Sequence, residues 1–238
     1  MNPVTNVYEA STAWAQQMGL ELHAESEMGS TNDFARAEAT SLSSDLKLYL
    51  TNHQTKGRGR GTHSWTDTGS GECLLSSWSL QLSSAAQPIS GPCMGLAVFH
   101  AASKIWPSRD WSIKAPNDLY LDGKKIGGIL IETVSSGSLH RMIVGIGLNI
   151  LNHPRAIENS THLDAEVDQA DWHNFMNELS SQLQSAALAC QQSHLSETQQ
   201  QELLNALNAN SSKTILATQI TPYGDIVHTK GRIRWMDL

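Results

Sequence analysis

The segment between Leu119 and Ile150 constrains the fold more than any other, because it predicts three consecutive β-strands. Asp122 and Gly123 stand between two apolar runs, and Asp-Gly in that position is a strong signal for a β-hairpin. Residues 135–138, Ser-Ser-Gly-Ser, then lead into a third apolar run that ends at Ile150. Strands joined by such short turns run antiparallel to one another. The sequence therefore predicts an antiparallel meander in the middle of the chain.

Helices and further strands surround this meander without regular strand–helix alternation, which predicts an α+β fold with a mixed, largely antiparallel sheet flanked by helices. The second helix is predicted to have Ser30 or Thr31 as its N-cap and Asp33 in its first turn, and the third to have Pro92 near its start. Helices are predicted at residues 8–18, 30–42, 91–106, 168–192 and 196–208, strands at 20–30, 45–52 and 73–82, and a β-like tail at 213–238 with a turn at residues 222–224.

Composition restricts the class of protein. The 238 residues suit one medium domain with a small appendage, and 39% hydrophobic with only 16% charged residues is typical of a globular chain. The net charge of -7 argues against a general nucleic-acid binder. Three cysteines far apart in the sequence match no disulfide or zinc pattern, which favours a reducing compartment, the cytoplasm. Neither a signal peptide nor an 18-residue apolar stretch is present, so no membrane association is expected.

Positive charge is concentrated in the segment His53–Trp65, where Lys56, Arg58 and Arg60 alternate with glycines. A solvated Arg-Gly linker is one interpretation, although such linkers usually repeat and this motif occurs once between two predicted strands. Alternating glycines allow backbone N–H groups to approach a ligand, and arginine offers a fork of donors for phosphate or carboxylate. We therefore predict a loop that binds a nucleotide phosphate or a carboxylic acid.

Two further clusters carry candidate binding residues. Lys114, Asn117 and Asp118 surround a proline-containing turn, and Lys125 follows the Asp122-Gly123 turn just before two glycines; Lys124 is interpreted as a solvated turn residue. Glycines weaken a strand unless something packs closely on its backbone. Gly145 and Gly147 lie on one face of an apolar strand and predict a flat floor for a ligand, with a β-bulge as the alternative. His162 and His173 are the nearest thing to a metal-ligand pair and are interpreted as surface residues.

These motifs, "GSTND", "QTKGRGR" followed by Trp65, "KAPNDLYLDGKKIGGILIE" and "GIGLNI", resemble in their order the catalytic domain of biotin protein ligases. The resemblance covers about residues 25–150 and implies the class II synthetase-like fold of biotin/lipoate ligases. It implies a catalytic domain at residues 1–190 and a short helical and β-like region at 191–238. It also implies ATP- and Mg²⁺-dependent conversion of biotin to biotinyl-5′-AMP, followed by transfer to a lysine of a biotin carboxyl carrier protein.

The resemblance also implies residue roles. Lys125, Arg58 and Arg60 would support catalysis, with Lys125 opposing the charge that develops when carboxylate attacks phosphate. Asp118 would hold Mg²⁺. Biotin would be bound by Ser30, Thr31, Gln54, Gly57, Arg58, Lys125, Gly145 and Gly147, and ATP by Arg60, Asn117, Asp118 and Asn149.

The sequence departs from the family pattern in three places. Residues 61–64 replace further basic residues of the loop, Ala115 replaces a tryptophan, and the tail is shorter than the usual terminal barrel. Because only about 25 residues precede the matching region, no helix-turn-helix and no DNA binding are expected. The alternatives are a lipoate or octanoate ligase or transferase, and a non-catalytic biotin-binding or nucleic-acid-binding module. The formation of a homodimer is left open.

Overall fold

A computed structural model describes residues 2–69, 71–210 and 216–237. Its centre is a seven-stranded sheet in the order β1-β2-β3-β7-β6-β5-β4, in which β1 and β2 are parallel and all other neighbours are antiparallel. The strands are β1 (Glu21–Met28), β2 (Leu46–Gln54), β3 (Cys73–Leu82), β4 (Trp111–Lys114), β5 (Asp118–Leu121), β6 (Lys124–Ser136) and β7 (Leu139–Asn149). The helices are α1 (Val7–Gln17), α2 (Thr31–Glu38), α3 (Ser90–Ile105), α4 (Gln169–Ala189) and α5 (Glu197–Asn208).

The predicted meander is confirmed as β5, β6 and β7. Asp122 and Gly123 have φ values of 51° and 77°, and a positive φ at both central residues is what a tight type I′ hairpin turn requires. Gly137, at φ 60°, turns the chain between β6 and β7. The α+β class and the largely antiparallel sheet are therefore confirmed. Strand β4 was not predicted, because four residues between a proline and a turn carry too little periodicity.

The two faces of the sheet are covered unequally. One face packs against α1, α3, α4 and α5 in a single large core that includes Trp14, Trp78 and Trp172. On the other face, Ala35 of α2 and its C-cap residue Ala39 pack against Tyr49. Because side chains alternate along a strand, the residues of β7 that point away from the large core lie on the α2 side. That face carries the candidate site.

Helix α2 is shorter than predicted and begins after Ser30, which holds the N-cap position without a capping bond from its side chain. The third helix begins at Ser90, two residues before Pro92, and an apolar stripe of α4 is buried. The helix-spaced residues of that stripe are Trp172, Phe175, Met176, Leu179 and Leu183.

The C-terminal region forms a small antiparallel sheet, as its β-like sequence predicts. Its strands are β8 (Ala217–Ile220), β9 (Ile226–His228) and β10 (Gly231–Ile233), and a 3₁₀ turn over Trp235–Asp237 follows. The predicted turn at residues 222–224 lies between β8 and β9. Residues 213–215 and 238 of the predicted β-like tail lie outside the described residues. The division of the chain at residue 190 stays a prediction.

All three cysteines are buried, and none forms a disulfide. Although Cys93 and Cys190 are far apart in the sequence, both are buried in the large core in which α3 packs against α4. Burial raises the pKa of the Cys73 thiol to about 11. No described helix has the length and apolar character needed to cross a membrane.

Helix α2 is anchored at its C-terminal end by Glu38, which accepts hydrogen bonds from Lys47 Nζ at 2.8 Å and Tyr49 Oη at 2.7 Å. The bond from Lys47 is the largest cause of a lowered pKa of Glu38. A carboxyl group with a lowered folded-state pKa contributes stability above its unfolded pKa and loses it as pH falls through the folded value. We expect the melting temperature to fall as pH decreases below about 4.5, and to fall less steeply in Glu38→Gln.

Thermal melts of the parent and Glu38→Gln between neutral and acidic pH would measure this difference. Glu158→Gln, at an exposed glutamate, serves as the control and should follow the parent. Identical slopes in the parent and in Glu38→Gln would mean that Glu38 does not contribute to acid sensitivity.

Candidate active site

A pocket of about 750 Å³ lies on the α2 side of the sheet. Its walls come from the start of α2, the loop after β2, the turn between β4 and β5, and the middle of β6 and β7. Most of the residues predicted from sequence meet in its lining: Ser30, Thr31, Gln54, Arg58, Arg60, Asn117, Asp118, Lys125, Gly145 and Gly147. The three glycine-bearing clusters that are separate in the sequence therefore line one cavity.

The cationic loop, residues 55–66, is held as a compact hairpin by its own backbone. Lys56 N donates to Gly29 O at 2.8 Å, which ties the start of the loop to the turn before α2. Trp65 N donates to Gly57 O at 2.9 Å. A Cβ atom on Gly57 would lie 2.5 Å from Trp65 O, so only glycine permits this approach. Gly57 thus shapes the loop and lies outside the pocket lining.

Asp67 fixes the end of this loop to β2, a role that the sequence did not reveal. Its carboxylate accepts from Gln54 N at 3.1 Å and Gly69 N at 2.7 Å, and lies 2.8 Å from His53 Nδ1. The side chain is only 1% exposed. These contacts fix the backbone of Gln54, a residue of the pocket wall.

Two of the three predicted catalytic cations, Lys125 and Arg58, are paired with carboxylates. Lys125 Nζ lies 2.7 Å from Asp118 Oδ1. Arg58 Nη2 contacts Glu132 Oε2 and lies 3.0 Å from Asp33 Oδ1. Sequence reasoning missed Glu132 because it is 74 residues from Arg58. Carboxylate groups of the protein therefore lie within ion-pair distance of Lys125 and Arg58.

Two glycines of β7 make room for side chains that reach over the sheet. A Cβ atom on Gly147 would lie 2.7 Å from the indole of Trp65. A Cβ atom on Gly145 would overlap the amide of Asn32. Both added Cβ atoms would point to the α2 side of the sheet, where Asn32 and Trp65 lie, which confirms the prediction that the two glycines face one side of the strand. Their role as a floor for a ligand stays a prediction.

Buried hydroxyl and amide groups connect the two ends of the pocket. Gln54 Oε1 accepts from Thr31 N at 2.8 Å, and Ser77 Oγ lies 2.8 Å from Thr31 Oγ1. The same Ser77 hydroxyl contacts Asn32 Oδ1, and Asn32 Nδ2 donates to Glu132 at 2.9 Å. Because Gln54 Oε1 is occupied by Thr31, the Nε2 group of Gln54 remains the donor that can meet a ligand. A satisfied buried network of this kind fixes the orientation of its members.

Two other residues singled out in the sequence, Asn149 and His162, lie outside the pocket lining. Asn149 is 4% exposed, donates to Thr161 O at 3.0 Å and lies outside the pocket lining. His162 pairs with His153 at 2.8 Å and not with His173, and burial lowers the pKa of His162. No group of three or more potential metal ligands occurs in the part of the chain that the structure describes.

The protein is an α+β protein whose sheet carries a cation-lined pocket beside one short helix. Residues 28–149 match the sequence model of the biotin/lipoate A/B protein ligase family. This match covers just over half of the 238 residues. The chain therefore belongs to the biotin/lipoate A/B protein ligase family.

Individual relatives agree with this assignment. The chain is 36% identical over 109 residues to biotin–protein ligase 1, chloroplastic, of Arabidopsis thaliana, covering 43% of this chain and 29% of that protein. It is 28% identical over 192 residues to the biotin–[acetyl-CoA-carboxylase] ligase of Mycobacterium tuberculosis, covering 74% of this chain and 65% of that protein. The chain thus spans less than two thirds of the length of either relative.

A solved structure shares the fold. The biotin protein ligase of Leishmania major in complex with biotinyl-5-AMP superposes with a TM-score of 0.64 at 20% identity, covering 89% of this chain and 96% of that chain. The fold expected from the motifs, that of biotin/lipoate ligases, is confirmed by this likeness.

Proposed function

We propose that this protein is an ATP-dependent ligase that activates biotin to biotinyl-5′-AMP and transfers the biotinyl group to a lysine of a biotin carboxyl carrier protein, in the cytoplasm. One observation carries the proposal: a single pocket combines the cations Lys125, Arg58 and Arg60 with a neutral hydrogen-bonding wall. Such a pocket suits a ligand with a neutral polar head and an acidic tail.

The neutral end of biotin, a cyclic urea, requires both donors and acceptors. Thr31 Oγ1 and the Nε2 group of Gln54 supply these beside Ser30. The buried network through Ser77 holds these groups in place before the ligand arrives, which reduces the entropy lost on binding.

The acidic end is the site of the first chemical step. A carboxylate oxygen of biotin forms a bond to the α-phosphorus of ATP, the bond from that phosphorus to the bridging oxygen breaks, and pyrophosphate leaves with the electron pair. The reacting groups are both anionic, so a positioned ammonium such as Lys125 lowers the barrier by offsetting their repulsion. In the second step, the neutral amine of the carrier lysine attacks the acyl carbon, loses a proton, and AMP leaves.

Two buried donors favour an oxygen-rich ligand. Among the described residues, Arg58 Nε and Trp65 Nε1 are buried and have no hydrogen-bond partner. Unpaired buried donors cost stability, and a carboxylate or phosphate oxygen would satisfy them. Both lie in the cationic loop, which would close over an adenylate and shield it from water.

Asp118 is the residue we propose to hold Mg²⁺. With one carboxylate and no cluster of three potential ligands in the described part of the chain, the site fits Mg²⁺ bound through one carboxylate, phosphate oxygens and water. When bound, the ion would neutralise charge on the phosphates of ATP.

The proposal is tested by incubating the protein with ATP labelled at the β- and γ-phosphates and with either biotin or lipoate. We expect pyrophosphate release when biotin is added and none when lipoate is added. Biotin should also raise the melting temperature, because a ligand that binds only the folded state stabilises it. Release of pyrophosphate with lipoate but not with biotin would make the protein a lipoate ligase. Stabilisation by biotin without release would make it a non-catalytic binding protein.

A further inference from the structure

Two histidines face each other in the loop that follows β7. His153 Nδ1 and His162 Nδ1 lie 2.8 Å apart, and the two rings stack with their centroids 5.0 Å apart. At this distance one Nδ1–H group donates to the Nδ1 atom of the other ring, so the pair holds residues 153–162 in a closed loop. Neither ring lines the pocket.

This loop holds the backbone of Lys125. Lys125 N donates to Asn159 O at 2.8 Å, and Lys125 O accepts from Thr161 N at 2.9 Å. The pairing of β6 with β7 begins only at Gly127, so residues 159–161 take the place of the neighbouring strand beside Lys125. On its other side, the pairing of β6 with β5 is irregular at this point. The position of the Lys125 backbone therefore depends on the loop.

The histidine contact tolerates one added proton but not two. In a singly protonated pair the imidazolium donates to the neutral ring, whereas two imidazolium rings would direct N–H groups and positive charge at each other. Burial, followed by the charge of His153, lowers the pKa of His162 and so opposes the second proton. That proton is therefore taken up below about 6.5, the ordinary histidine value.

Three charged groups of neighbouring segments also act on His162. The carboxylates of Asp164 and Glu72 favour its protonation, and the guanidinium of Arg109 opposes it. Arg109 is itself paired with Asp122 at 2.8 Å. Because burial is the largest of these effects, the pair stays intact at neutral pH and opens in mild acid.

We infer that His153 and His162 are positioning residues for Lys125: their contact keeps the loop closed on the Lys125 backbone, and a second proton on the pair releases it. This inference rests on the proposed function, in which Lys125 opposes the charge that develops on the phosphate. It predicts that adenylate formation slows in mild acid and that the histidine pair causes this loss.

His162→Asn is the sharpest test, because its amide can hydrogen-bond to His153 but takes up no proton. We expect pyrophosphate release by the parent to fall about five- to tenfold between about pH 7.5 and about pH 5.5, the loss typical of one hydrogen bond. In His162→Asn it should fall less than about twofold. His173→Asn, at a histidine of α4 outside the pocket lining, should keep the profile of the parent.

His162→Ala removes the contact at every pH. It should lower kcat at neutral pH by about the same five- to tenfold factor, while KM for ATP and for biotin stay within about twofold. Thermal melts would show whether this variant folds, and the pH profile of His162→Asn tests the inference if it does not.

Hydrogen exchange of the Lys125 amide, followed by NMR without substrates, separates this inference from the proposed function. In His162→Ala its protection factor should fall about five- to tenfold, while that of Ile129, which donates to Asn117 O on the same strand, stays within about twofold. This result supports the inference even when the parent releases no pyrophosphate.

Unchanged protection of Lys125 in His162→Ala would overturn the inference, and so would equal acid losses in the parent and His162→Asn. An equal fall in protection at Lys125 and Ile129 would also overturn it, because His162 would then contribute to overall stability only.

Discussion

Replacing Lys125 with alanine should slow biotin-dependent pyrophosphate release about 10²- to 10³-fold, the loss typical of one charged donor at a transition state. Lys125 lines the pocket and lies 2.7 Å from Asp118. It is held on β6, directly after a rigid hairpin turn, and can meet developing charge without moving far. Its side chain is 37% exposed, so the variant should fold and still bind biotin.

Lys124→Ala is the matched control, because this neighbouring lysine is exposed and does not line the pocket. Its rate should stay within about twofold of the parent in single-turnover assays of adenylate formation. Equal losses in the two variants, or full activity in Lys125→Ala, would contradict the role of Lys125. Lys114, a candidate binding residue from the sequence, contacts Tyr120 and does not line the pocket, so Arg58 or Arg60 would then be the catalytic cation.

Gly145→Ala should lower the free energy of unfolding by about 1–3 kcal/mol, the usual cost of overpacking a core, and should reduce biotin binding. The added methyl group would overlap the amide of Asn32, which Ser77 and Glu132 hold in place. A displaced Asn32 would break the buried network under the pocket. Chemical denaturation and the biotin-induced shift in melting temperature would measure the two effects.

Gly128→Ala provides the comparison for this change. Its added methyl group would lie 3.6 Å from the Trp65 ring, an ordinary contact that the pocket can accommodate. We expect stability close to that of the parent. If Gly145→Ala were as stable as Gly128→Ala, the amide of Asn32 would have room to move and the network would be less rigid than its contacts suggest.

Local sequence signals predicted those parts of the fold that depend on neighbours in the chain. The Asp122-Gly123 turn and the apolar runs around it determine the meander, because turn chemistry and strand periodicity act over a few residues. Strand β4 is too short for such a signal. The parallel pairing of β1 with β2 depends on packing between distant segments, and no local pattern encodes it.

The site was predicted through its motifs but not through its supporting contacts. Arg58, Lys125 and the glycines of β7 belong to distinctive sequence patterns, and the pocket brings them together. The partner Glu132 is 74 residues away from Arg58, so only the fold identifies it. Gly57 shows where a sequence pattern is ambiguous. A glycine required for the close approach of two backbone segments and a glycine required for ligand binding look the same in the sequence.

The burial of all three cysteines has a practical consequence for spectroscopy. Cys73, Cys93 and Cys190 are the only thiols of the chain and none reaches the surface. A maleimide dye reacts with exposed thiolates, so the folded native protein should remain unlabelled. Thr62 is exposed near the tip of the cationic loop. A Thr62→Cys variant would therefore accept a single fluorophore without removal of the native cysteines, and movement of the loop could be recorded in real time.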